Sequence, residues 1–299
     1  MTEDRLRKIS TVTIWGAAAN ILLAALKFLG GILGRSSAMM ADALHSLSDL
    51  VSDVVVLAMV RLSSKKKDST HEYGHGKFET LGTAFVAFLL LAIGVKMVVE
   101  GVSKVWSVFQ GETLEVPGTI AFVVALVSIA VKELLYRWTD RVGKKCDSPA
   151  TLTNAWHHRT DALTSVAAAL GIGLARALGG RWAVLDPLVC CGISLFVFYI
   201  AIKMAIPALN ELADASLPGE TESRIKDILG SVDGIKNVHE LKTRRNGNDI
   251  IIDAHIVVDP EMSVREAHSI TVKAETALRQ ALGQSTQISL HVEPSVDAE

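Results

Sequence analysis

Cysteine is scarce in this chain: Cys146, Cys190 and Cys191 are the only three among 299 residues. Cys190 and Cys191 are adjacent, so they encode no disulfide framework, and no CxxC is present to build a thiolate zinc site. They read as small apolar residues inside a membrane helix. Net charge is also nearly absent: 30 Lys and Arg stand against 32 Asp and Glu, leaving −2. That balance argues against nucleic acid as the main partner. No GxxxxGK phosphate loop is present, which argues against a nucleotide-driven pump. The one HExxH string, His71-Glu72-Tyr73-Gly74-His75, falls in a loop between two apolar runs and not on a helix, where a metallohydrolase needs it to place both histidines on one face beside the general base.

What the chain does have is apolar length. Hydrophobic residues make up 49% of it, and nearly all the long runs fall between about residues 11 and 208. Six runs, roughly 11–34, 37–62, 78–106, 117–137, 150–178 and 182–207, are each long enough to cross a ~30 Å hydrocarbon core as a helix of about 20 residues. Transmembrane strands are excluded, because the runs are too long and lack strict alternation. Arg5, Arg7 and Lys8 before the first run resemble the start of a signal peptide. That run is long enough to span, however, so it reads as a retained first helix.

Basic residues set the orientation. Arg61, Lys65, Lys66, Lys67 and Lys77 follow the second span, and Arg137, Arg141, Lys144 and Lys145 follow the fourth. The other loops carry Arg35, Lys104, Arg176 and Arg181. Nine against four, with a basic N-terminus, predicts that both termini are cytoplasmic. Residues 1–208 then form a six-helix membrane domain and residues 209–299 a cytoplasmic one. In the latter, a helix over 220–229, strands over 234–243 and 249–258, a helix from Ser263 to about Leu282 and a strand over 288–292 are expected. Residues Arg245–Asn248 carry the hairpin signal, and Ser263 with Glu266 forms a capping box. The order αββαβ predicts a small α+β domain, ferredoxin-like or metallochaperone-like, with its helices on one face of the sheet.

Ionisable residues interrupt two of the spans. His45 and Asp49 lie in the second, His157 and Asp161 in the fifth. Each pair is i, i+4, a step of about 6 Å along the helix and about 40° around it, so both members share a face. Such residues are costly in a bilayer and normally face a partner or a cavity. Two HxxxD pairs on facing helices supply two nitrogens and two oxygens, a tetrahedral set suited to Zn²⁺. Hydrogen-bonded His/Asp contacts that merely hold the bundle are the competing reading, and a pair in each of two spans weighs against it. Asp42, on the face of Asp49, is an acceptor behind the ligands or a vestibule charge. His158 reads as a hydrogen-bonded or interfacial histidine. In the loop after the second span, Asp68, His71 and His75 form DxxHxxxH, which on residues alone fits a solvated loop as well as a site. Four histidines, His239, His255, His268 and His291, fall in the C-terminal domain.

The six spans, the two HxxxD pairs and the αββαβ tail resemble the cation diffusion facilitator family over nearly the whole length, in its bacterial zinc/proton antiporter form. The resemblance implies that His45, Asp49, His157 and Asp161 bind the transported metal. His45 favours Zn²⁺, since members with Asp at that position often accept Cd²⁺ and members with Asp at both first positions tend toward Mn²⁺. It implies a surface metal site at Asp68, His71 and His75. It also implies an interlock between Lys77 and Asp214 that braces two protomers, and regulatory Zn²⁺ sites between subunits drawing on His239, His255, His268, His291 and Glu293. Glu293 stands where an Asp is common. The expected protein is a homodimer in a bacterial inner membrane that exports Zn²⁺ in exchange for protons. Metal needs neutral imidazole and ionised carboxylate, so protons compete for the same groups and can drive alternating access without nucleotide. A broader exporter of Cd²⁺, Fe²⁺ or Mn²⁺, and a membrane metal sensor, are the alternatives.

Overall fold

The structure is a computed structural model describing residues 3–65, 67–146 and 148–295. Lys66, counted above among the basic loop residues, lies outside them. Six long helices come first: α1 (Glu3–Leu33), α2 (Ser37–Ser63), α3 (Lys77–Phe109), α4 (Thr119–Lys145), α5 (Pro149–Leu178) and α6 (Leu185–Leu212). Among the described residues, six helices are long and apolar enough to cross a membrane, one for each expected run. The α+β elements follow: α7 (Gly219–Gly230), β1 (Asn237–Asn246), β2 (Asp249–Val258), α8 (Val264–Leu282) and β3 (Gln287–Pro294).

The chain divides into two compact units. The first takes residues up to Val55 and Val86–Lys203. Small residues let its helices approach: Ala121, Ala125 and Ser128 of α4 and Ala155, Ala168 and Ser165 of α5 are buried. Asp186 of α6 caps α2, accepting from the Ser37 amide at 2.6 Å, the Ala38 amide at 3.3 Å and the Ser36 hydroxyl. Those are donors that a helix start cannot satisfy by itself. α5 opens with Ser148 at the cap and Pro149 in its first turn, the position where a missing N–H costs nothing.

The second unit takes Val56–Phe85 and Met204–Glu299. Its sheet has the order β1-β2-β3, with β1–β2 antiparallel and β2–β3 parallel. Ile225 and Leu229 of α7, Ile252 and Ala254 of β2, and Ala274 and Leu278 of α8 share one core. Both helices therefore cover the same face of β2, as αββαβ predicts, and alternation turns Asp253 and His255 to the other face. The capping box of α8 is complete, Ser263 to Glu266 and back.

The hairpin differs from expectation at its edges. β1 starts at Asn237 rather than 234, because Gly234 sits at φ +97° against Ile270, a turn conformation and not a strand one. At the other end Asn246 pairs with Asp249, so the turn is the two residues Gly247 and Asn248. Gly247 has φ +63°, and a Cβ on Gly76 would lie 2.2 Å from the carbonyl oxygen of Asn246. The α2–α3 loop thus lies backbone to backbone against the hairpin turn.

Candidate metal centre

α2 and α5 carry the intramembrane residues. His45, Asp49 and Asp161 each present a ligand atom within 4.8 Å of the others. His45 Nε2 is 3.9 Å from Asp49 Oδ2, and His45 Nδ1 is buried with no hydrogen-bond partner. An imidazole whose Nε2 faces one carboxylate, with a second carboxylate close by, fits a cation. His157 stands outside this set. Its side chain is 48% exposed, and its Nδ1 approaches Asp161 Oδ1 at 3.8 Å.

Two lysines that the sequence reading missed lie beside these residues. Lys132 of α4 donates to Asp161 Oδ2 at 2.5 Å and to Asn20 Oδ1 of α1 at 2.9 Å. Lys27 of α1 pairs with Asp42 at 2.9 Å, neither side chain being exposed. The available signal was a lysine in the middle of an apolar run, which must find a partner. Asp42 is thereby ion-paired and buried rather than free. It is a neutralised carboxylate that also accepts from the Thr164 and Ser165 hydroxyls of α5. His158 is buried against α1, where a Cβ on Gly16 would come within 3.3 Å of its Nε2.

In the second unit the loop residues Asp68, His71 and His75 form a second such group. Asp68 Oδ2 is 3.3 Å from His75 Nε2, and the two imidazole centroids are 4.4 Å apart. Hydrogen bonds from the Thr70 side chain, the Thr70 amide and the His71 amide hold the Asp68 carboxyl far below the usual carboxylate range. Lys77 meets Asp214 at 2.6 Å, and Arg244 meets the other oxygen at 2.9 Å. Lys77 first, with Arg244 helping, depresses the Asp214 carboxyl.

The third group is His239, His255 and Glu293. It follows from strand register: His239 pairs with His255, and His255 with His291, so three histidines form a row across the sheet. Glu293 accepts from His239 Nε2 at 2.9 Å and from His255 Nδ1 at 2.8 Å, and lies 3.7 Å from His291 Nε2. Burial opposes its ionisation, but His255 and His239 more than offset this and bring the carboxyl below its ordinary value. Glu240 went unnoticed in the sequence. The register shifts between His239 and Lys242, Glu240 takes φ +46°, and its carboxylate reaches within 3.8 Å of His255 Nε2. Alternation alone gives no sign of such a bulge. His268 is exposed on α8 and belongs to none of the three groups.

Six membrane-length helices with a histidine–carboxylate cluster inside them define a polytopic membrane protein equipped to bind a divalent cation. Residues 13–213 match the family model of the cation efflux transmembrane domain, and residues 217–295 that of the cation efflux protein cytoplasmic domain. The chain belongs to the cation diffusion facilitator family of membrane transporters. It is an integral membrane protein with a cytoplasmic C-terminal domain, and a transporter rather than an enzyme.

Metal tolerance protein C1 of Arabidopsis thaliana is 34% identical over 291 residues, covering 94% of this chain and 61% of that protein. The chain therefore spans under two thirds of that relative. The manganese efflux system protein MneP of Bacillus subtilis is 28% identical over 298 residues, covering 98% of this chain and 99% of that one. A solved structure of the transporter CzrB is 37% identical, covers 27% of this chain and 100% of its own, and superposes with a TM-score of 0.26.

Proposed function

We propose that this protein exports divalent transition metals from the cytoplasm, with a range that extends beyond Zn²⁺ to ions such as Mn²⁺, Fe²⁺ and Cd²⁺. One observation carries the breadth: the donors gathered in the membrane are one imidazole and two carboxylates, His45, Asp49 and Asp161. That set is richer in hard oxygen than the two-nitrogen, two-oxygen tetrad expected from spacing, and oxygen donors suit Mn²⁺ as well as Zn²⁺. The likeness to a manganese efflux protein supports the same reading. His157 stands beside Asp161, half exposed and outside the gathered donors.

Transport belongs to residues 1–208 and regulation to residues 209–299. Protons are the counter-substrate: the ligands must be deprotonated to bind metal, so protons arriving from the far side displace it. The Asp68, His71 and His75 group binds metal at the cytoplasmic membrane surface. His239, His255, His291 and Glu293 hold a regulatory ion, Zn²⁺ fitting their nitrogen-rich set, and a second copy of the chain completes its coordination. Lys77 and Asp214 act as the interlock of that dimer, and the membrane is a bacterial inner membrane.

Reconstituted protein with metal-sensitive dye tests this. Zn²⁺, Mn²⁺ and Cd²⁺ should each cross the bilayer in exchange for protons that move down an imposed gradient in the opposite direction, and a protonophore should stop them. Flux of Zn²⁺ alone would restore the narrow reading, and flux indifferent to the gradient would refute proton exchange.

A further inference from the structure

We propose that Lys132 determines metal selectivity by occupying one oxygen of Asp161 and leaving that carboxylate a one-oxygen ligand. The inference rests on the reading of His45, Asp49 and Asp161 as the transport site. Lys132 Nζ is held from two sides, by Asp161 Oδ2 at 2.5 Å and by Asn20 Oδ1 at 2.9 Å. Its side chain is 3% exposed, so the ammonium is shielded from bulk solvent. Asp161 Oδ1, which His157 Nδ1 approaches at 3.8 Å, is the oxygen left for a metal. A carboxylate so engaged is a poorer two-oxygen chelator, because the ammonium draws on the electron density of Oδ2 and crowds it.

This matters unequally for different ions. Four-coordinate Zn²⁺ needs one atom from each ligand. Ions that take six or more oxygens gain most from a carboxylate that can give two. Lys132 therefore penalises Mn²⁺ more than Zn²⁺ at a site whose donors would otherwise accept both. The second buried lysine has no such role. Lys27 is taken up by Asp42 and by the Ser46 hydroxyl, none of which belongs to the cluster.

The test uses the full chain in proteoliposomes, with Zn²⁺ and Mn²⁺ as probes under one proton gradient. Lys132→Met should raise the Mn²⁺/Zn²⁺ flux ratio about tenfold, the lower end of what removing a hydrogen-bond partner of a metal ligand does. Lys132→Arg, which keeps a cation there, should hold the ratio near that of the wild type. Asn20→Ala removes only the second anchor and should move the ratio in the same direction as Lys132→Met, which keeps the test decisive if that variant fails to fold. A ratio unchanged in Lys132→Met, or in Asn20→Ala should Lys132→Met not fold, overturns the role of Lys132. If instead Asp161→Asn carries both ions at wild-type rates, the transport-site reading itself fails.

Discussion

Lys27 and Asp42 show how a membrane interior handles charge. The pair lies at 2.9 Å with both side chains fully buried, and Thr164 and Ser165 satisfy the carboxylate further. Removing one partner strands the other, at a cost of about 3–5 kcal/mol, whereas neutralising both is close to neutral. Lys27→Met should therefore lower the melting temperature in detergent markedly, and adding Asp42→Asn should restore most of it. At the cluster, Asp49→Ala and Asp161→Asn should each weaken metal binding by more than the roughly 10–100-fold typical of losing a group behind a ligand. His157→Ala should do less, because that side chain stands half exposed outside the gathered set. Calorimetric titration of the three variants ranks them, and an equal loss in all three would put His157 back as a full ligand. Three of the four HxxxD residues, His45, Asp49 and Asp161, lie close together, as i, i+4 spacing on two helices suggests, while His157 stands apart. Lys27 and Lys132 were not paired in advance, because spacing along one helix says nothing of which side chains meet it from another.

At the scale of elements, the α2–α3 loop and the β1–β2 hairpin are joined by Gly76 against Asn246, by the Asn246 side-chain Nδ2 donating to the Tyr73 carbonyl at 2.8 Å, and by the Lys77–Asp214–Arg244 group. Gly76→Ala would drive a Cβ into backbone that cannot yield. The loop should then lift away, and trypsin should cut faster at Lys65 and Lys67; an unchanged cleavage rate would mean the contact is loose. Asp214 gives a pH dependence. Its folded carboxyl titrates below the ordinary value, so the pair contributes in full above the unfolded pKa of about 4 and is lost as pH falls through the lower folded value. Solvent screening keeps the contribution to about 1 kcal/mol or less. Melting curves from neutral pH down to about pH 3 should show a shallower acid decline in Asp214→Asn than in the wild type. The helices, the hairpin and the α8 capping box were readable from run length, the Gly247 turn and Ser263 with Glu266. The position of the turn was less so, because Arg245 and Asn246 continue the strand only by pairing with Ile250 and Asp249.

For the whole molecule, the proposed regulatory ion between copies would convert metal affinity into stability and association. In detergent, Zn²⁺ should raise the melting temperature and the dimer share of the full chain, and a chelator should reverse both. His239→Ala with Glu293→Ala should remove the metal-dependent part and leave flux through the membrane site. An unchanged response would reduce the row to ordinary surface residues. The four C-terminal histidines were visible in the sequence, but their grouping was not. Register brings His239, His255 and His291 together, while His268 on α8 stays apart. The parallel pairing of β3 also orders events in time. A hairpin forms locally, whereas a parallel strand must await its crossover helix. His291 and Glu293 thus reach the row after α8 has emerged from the ribosome and docked. A chain cut short by a nonsense codon ahead of Gln287 would still encode all six spans and yet lack two of the row's donors. In biosynthesis, the residues of the membrane cluster are all made before the histidine row is complete.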